Sequence, residues 1–215
     1  MKKFFTLCAA LFMGFTAAHA DEGMWLLKLM KQQHLEDSLR KAGLQLPATA
    51  LYSETAPSLR DCIGIFGGGC TGDGVSPEGL ILTNHHCGFS YVHEMSGIGH
   101  DYMKDGYFAH NRSEELRTPA SLTFTFVKRI TDVTAQVNAE AVKKHADEYT
   151  RQSIGFLEPI AQKMLKKSEF AKLKGMTARI VPYFGGNQFY IFFEQKYQDI
   201  RLVANPPYNI GQFGG

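Results

Sequence analysis

Apolar residues recur near the 3.6-residue period at Trp25, Leu26, Leu29, Met30, Leu35 and Leu39, which predicts a helix over Asp21–Lys41. Gly43 follows as a C-cap, and Pro47 stops continuation. Leu46–Arg60, with Pro47 and Pro57, reads as a loop, and the end of PSLRDCIGIFGG begins the first strand. Gly67, Gly68 and Gly69 lead into Cys70, after which TGDGVSPEG has turn chemistry throughout. GLILTN is then a short apolar run of strand type that delivers His85, His86 and Cys87 at its far end. Neighbours on a strand face opposite ways, so His85 and His86 are expected on opposite faces, with His85 a structural donor.

Phe89–Arg117 is rich in Gly, His and Asp and reads as a long irregular loop, a kind of segment that is usually functional or borrowed from a neighbour. Ala120–Ile130 alternates apolar and polar residues, which predicts a strand. Thr131-Asp132 supplies an N-cap for a helical stretch to about Arg151, and a second helix is expected over about Phe156–Leu173, ending near Gly175. Three strands follow, at Thr177–Tyr183, Phe189–Gln195 and Tyr197–Ala204, with Gly185–Asn187 turning between the first two. Phe184, Phe189, Phe192 and Phe193 are expected in the core. The pattern is mainly β with helical insertions. Six short strands in two blocks fit one closed antiparallel barrel, with a helical insertion at about 132–174.

The first twenty residues stand apart. Lys2 and Lys3 form a basic start, Phe4–Ala17 is mostly apolar, and Ala18-His19-Ala20 has the small-x-small form of a cleavage site. A cleaved signal peptide over 1–20 is expected, with an N-terminal helix in 21–48 and the barrel in 49–215. The apolar run is too short for a membrane anchor, and no later stretch is long and apolar enough to span a bilayer. Removing the leader removes two lysines and no acids, which leaves the mature chain formally neutral. That argues against a nucleic-acid partner, which would select a basic excess or patch. Export leaves Cys62, Cys70 and Cys87, an odd number, so one thiol stays unpaired in an oxidising compartment.

Histidines carry the candidate chemistry. His86, His93 and His100 are spaced by seven, with His85 and His110 nearby, and imidazole suits zinc, copper and nickel. That spacing lacks an established ligand form, and a loop fixes no geometry. The serines sit in no nucleophile context, and Gly-x-Ser-x-Gly does not occur.

The words around these residues carry a resemblance. Cys70, a turn, an apolar strand and Thr-x-His-His-Cys resemble the first barrel of chymotrypsin-type serine peptidases. DEGMWLL at Asp21–Leu27, FGGGCTG at Phe66–Gly72, SPEGL at Ser76–Leu80, LTNHHCG at Leu82–Gly88 and HDYMKDGYFA at His100–Ala109 resemble the bacterial dipeptidyl-peptidase 7/11 family of secreted serine exopeptidases. The resemblance covers essentially the mature chain and only the N-terminal part of that family's longer chains. It implies a trypsin-like first barrel, a Cys70–Cys87 disulfide and His86 as the catalytic base of a Ser-His-Asp triad. Cys62 would then be a buried free thiol. His85 matches the family's other histidine, and Asp101 and Asp105 match the HDYMKDG word rather than the triad acid.

The same resemblance implies peptide substrates with a free N-terminus and release of dipeptides in the periplasm or at the cell surface. It implies no metal or organic cofactor, and it allows a homodimer of the full-length enzyme. It puts the acid after Gly214–Gly215 and the serine further on, so a chain stopping at Gly215 reads as partial and is expected to be inactive alone. A non-catalytic trypsin-like binding module, complete as it stands, is the competing reading, and a histidine-rich metal-binding protein is a third.

Overall fold

The computed structural model describes residues 26–30 and 34–212. The expected leader, Met1–Ala20, lies outside these residues. The chain divides into two compact units, Met1–Ala48 and Thr49–Gly215.

In the first unit the single helix expected over Asp21–Lys41 is interrupted where it is described. Leu26 is extended, Leu27–Leu29 forms one 3-10 turn, and His34 adopts a left-handed conformation (φ 53°). The helix proper, α1, is Leu35–Lys41. Its charges favour that start: Glu36 and Asp37 lie in the first turn, Arg40 and Lys41 in the last, each complementing the helix dipole. Arg40 Nη2 donates to Glu36 Oε1 at 3.0 Å, one turn away. Gly43, with φ 107°, takes the left-handed position just beyond the helix end.

The second unit holds, in order, β1 (Ile63–Phe66), β2 (Cys70–Gly74), β3 (Ile81–Thr83), α2 (His85–Met95), β4 (Tyr107–Phe108), β5 (Leu116–Arg117) and β6 (Phe124–Asp132). Three helices follow, α3 (Thr134–Lys143), α4 (Glu148–Gln152) and α5 (Ile154–Lys167). The chain then forms β7 (Met176–Tyr183), β8 (Gln188–Tyr197), β9 (Arg201–Leu202), β10 (Ala204–Asn205) and the one-turn α6 (Tyr208–Gly211). Six strands make one antiparallel sheet in the order β3-β2-β1-β6-β8-β7. Its end strands, β3 and β7, are not paired to each other among the described residues, so the sheet is not the closed ring expected from the pattern.

Three assignments change. The expected strand at Tyr197–Ala204 is only the end of β8 and the two-residue β9 and β10, which pair with β5 and β4. Asp199 breaks the run by accepting two hydrogen bonds from the Arg201 guanidinium, at 3.1 and 3.0 Å. The turn-like CTGDG is instead the strand β2. Its glycines are there for space: a β-carbon on Gly64 or Gly72 would come within 2.3 or 2.8 Å of the Phe124 ring. These two glycines face each other across β1 and β2, and the fully buried Phe124 lies over them. Phe184, finally, is half exposed at the β7–β8 turn (φ 51°) rather than in the core.

Two apolar clusters hold the unit. In one, Val137 and Ala141 of α3 and Phe156, Leu157 and Ala161 of α5 pack on Ala178 and Ile180 of β7 and Phe189, Ile191 and Phe193 of β8. In the other, Phe66, Leu122 and Phe124 are joined by Cys70, Ile81, Cys87 and Tyr91. This second cluster supports the histidine-bearing turn.

Candidate active site

The turn before Cys70 is built around Gly67. Its φ is 59°, its N–H donates to Thr123 O at 2.8 Å, and a β-carbon there would meet Tyr91 Oη at 2.8 Å. Left-handed backbone and close approach together select glycine. Cys70 then opens β2 and is bridged to Cys87, with Cα atoms 6.0 Å apart and a sequence separation of 17. A loop of that length stabilises by about 3 kcal/mol in the chain-entropy model. The bridge ties the start of β2 to the first turn of α2. Cys62, expected to be buried, is a free and exposed thiol at the end of a 3-10 turn, because that turn precedes the paired part of β1.

The histidine pair does not sit on a strand. β3 ends at Thr83, whose Oγ1 donates to Thr71 O at 2.8 Å. Asn84 is the extended N-cap residue, and α2 starts at His85. Asparagine is a favoured residue at that position. Consecutive residues on a helix diverge by about 100°, not the 180° of a strand. The signal was legible in the sequence: Gly88, Tyr91, Val92 and Met95 follow the i, i+3, i+4, i+7 spacing after an Asn, and all four line one cleft.

That cleft, of about 680 Å³, is bordered by β3, α2 and the segment from Asp199 to Pro206. Its wall is apolar at Phe66, Ile81 and Leu122 and charged at Arg112, Glu115 and Arg201. His85 lines it; His86 does not, and its side chain is exposed beside the disulfide. Both His85 ring nitrogens are shielded from solvent and have no hydrogen-bond partner among the described residues, so the expected structural donor has no acceptor. A second cleft, of about 460 Å³, lies between α3 and α4 and brings none of the candidate residues together.

The remaining candidates are engaged locally. His93 stacks on Phe89 with ring centroids 6.2 Å apart, and His100 packs on Tyr102 at 5.0 Å. His86, His93 and His100 do not converge as a ligand set. Among the described residues the group whose ligand atoms lie within reach of one another is Cys70, His86 and Cys87, whose two sulfurs are bonded to each other. Asp101 Oδ1 accepts from the Met103 and Lys104 amides at 3.1 and 3.0 Å, which makes it a turn former. The loop expected over Phe89–Arg117 begins as helix, and its remainder is stitched to the end of the chain. Tyr208 N–H donates to Met103 O at 2.7 Å, the buried Asn205 donates to Tyr102 O at 3.0 Å, and β4 pairs with β10.

Comparison with known proteins gives this arrangement a context. The model of the Peptidase S46 family matches residues 20–215. The chain is 47% identical over 216 residues to the dipeptidyl-peptidase 7 of Phocaeicola vulgatus, covering 100% of this chain and 30% of that protein. It is 39% identical over 219 residues to the Asp/Glu-specific dipeptidyl-peptidase of Porphyromonas endodontalis, covering 99% of this chain and 29% of that protein. The crystal structure of Porphyromonas endodontalis DPP11 in complex with the dipeptide Arg-Glu superposes with a TM-score of 0.81 at 38% identity, over 91% of this chain and 28% of that one. The chain therefore spans about three-tenths of the length of these relatives.

Proposed function

This chain belongs to the Peptidase S46 family, and we propose that it is the N-terminal portion of a serine-type dipeptidyl-peptidase in which His86 is the general base. The observation that carries this reading is the placement of His86. It lies in the first turn of α2, its imidazole is exposed, and the adjacent Cys87 is fastened to β2 through the disulfide. A base must be held rigidly yet reach a substrate-facing serine, and a helix start fastened covalently to a sheet does both.

In this reading the six-stranded sheet is the first barrel of a chymotrypsin-type enzyme, completed by segments beyond Gly215 that also supply the acid and the serine. His86 accepts the serine proton as the hydroxyl attacks the scissile carbonyl, then returns it to the departing amine. Dipeptides leave from the free N-terminus of peptide substrates. The leader-like start, Lys2-Lys3 through Ala20, supports export across the inner membrane, and a mature protein beginning at Asp21 is the expected product.

The test uses protein expressed from the complete reading frame, offered one peptide with a free N-terminus and the same peptide N-acetylated. Dipeptide release from the first and not the second, abolished by a serine-directed inhibitor, is expected. Equal cleavage of both, or cleavage indifferent to the inhibitor, contradicts the reading.

A further inference from the structure

We infer that His85 is a positioning residue for His86, acting through the shape of its ring rather than through its nitrogens; the inference rests on the reading of His86 as the base. His85 is the first residue of α2, and it shares a peptide unit with His86. Its ring is enclosed on three sides. Phe89 lies at 6.1 Å and Tyr208 at 6.0 Å between centroids, and these two rings are themselves 6.0 Å apart. On the third side the Gly211 backbone approaches so closely that a β-carbon there would lie 2.5 Å from His85 Nδ1.

The partner turn, α6, is itself fixed. Tyr208 N–H donates to Met103 O at 2.7 Å, and Gly211 N–H donates to Pro207 O at 2.9 Å. The His85 ring is thus wedged between the start of α2 and a tethered turn. Both of its nitrogens are shielded and unbonded among the described residues. A neutral imidazole always carries one N–H, and leaving that donor buried without an acceptor is unfavourable compared with an apolar ring of similar shape. What this one supplies is a flat volume, matched by the missing side chain at position 211. Removing the ring, or adding a methyl group at 211, lets the first turn of α2 move, and His86 moves with it.

The experiment measures kcat and KM for dipeptide release by protein from the complete reading frame, with melting curves as a folding control. His85→Phe keeps a ring without nitrogens and is expected to retain kcat within about threefold. His85→Ala and Gly211→Ala are each expected to lose about 10²-fold in kcat at unchanged KM, the cost of a displacement of about 1 Å. The double variant loses no more than either single one, because the added methyl occupies space the ring has left. Equal losses for His85→Phe and His85→Ala would overturn the inference, as would additive losses in the double variant or a rise in KM at constant kcat. His86→Ala, measured alongside, separates the two levels: full turnover there removes the base assignment itself, whatever the His85 variants do.

Discussion

At the residue scale, the site depends on a few positions where a side chain is missing. Gly64 and Gly72 make room for Phe124, and Gly67 makes room for Tyr91. Phe124 and Tyr91 belong to the cluster that also contains Cys70 and Cys87, so these glycines support the disulfide from beneath. Gly64→Ala would force a β-carbon to 2.3 Å from the Phe124 ring. Such overpacking costs about 1–3 kcal/mol, and the denaturation midpoint should fall accordingly. Gly68→Ala, where a β-carbon meets nothing within 4 Å, is the control and should leave the midpoint unchanged. Equal effects for the two variants would contradict the packing account. In the sequence all these glycines look alike. Only the register of β1, β2 and β6 shows which of them carry a ring.

At the element scale, α4 shows a short helix held by its cap. α4 is five residues long, and Asp147 accepts from the Thr150 amide at 2.7 Å as its N-cap. The Thr150 hydroxyl and amide hold the Asp147 carboxyl below the usual carboxylate range. A carboxyl depressed in the folded state contributes stability above its unfolded pKa, and loses it as pH falls through the lower folded value. Asp147→Ala should therefore lower the melting temperature at neutral pH, and the gap should close once acid protonates the carboxyl in both states. A gap that persists unchanged in acid would show that the cap acts without its charge.

Elements with strong alternation or good caps were legible from sequence: β6 and the β7–β8 hairpin follow their patterns, and α3 starts where Asp132 Oδ1 accepts from the Thr134 amide at 2.9 Å. Elements set by tertiary contacts were not. β2 is hidden because Gly72 and Gly74 signal a turn when read alone. α2 carries a helical stripe at Gly88, Tyr91, Val92 and Met95, but its start is masked because an apolar strand runs directly into Asn84. The candidate site itself, Cys70, His86 and Cys87, was legible as a motif. Its geometry was not, because strand and helix present neighbouring histidines at different angles.

At the scale of the whole molecule, the proposed function treats the chain as one part of a longer enzyme. It matches about three-tenths of the length of its relatives, and the proposed reading gives its exposed His86 a nucleophile outside the described residues. The account places that nucleophile, and the acid that orients His86, in the sequence beyond Gly215. The Cys70–Cys87 bridge and the His85 wedge then have one purpose, to fix the first turn of α2 before those segments arrive. The measurement that tests this most directly is the rate of dipeptide release by His86→Ala in protein from the complete reading frame, with a melting curve to confirm an unchanged fold. The account predicts a loss of at least about 10⁴-fold, because removing a triad histidine disables the whole constellation. A folded His86→Ala protein that keeps substantial turnover would contradict it.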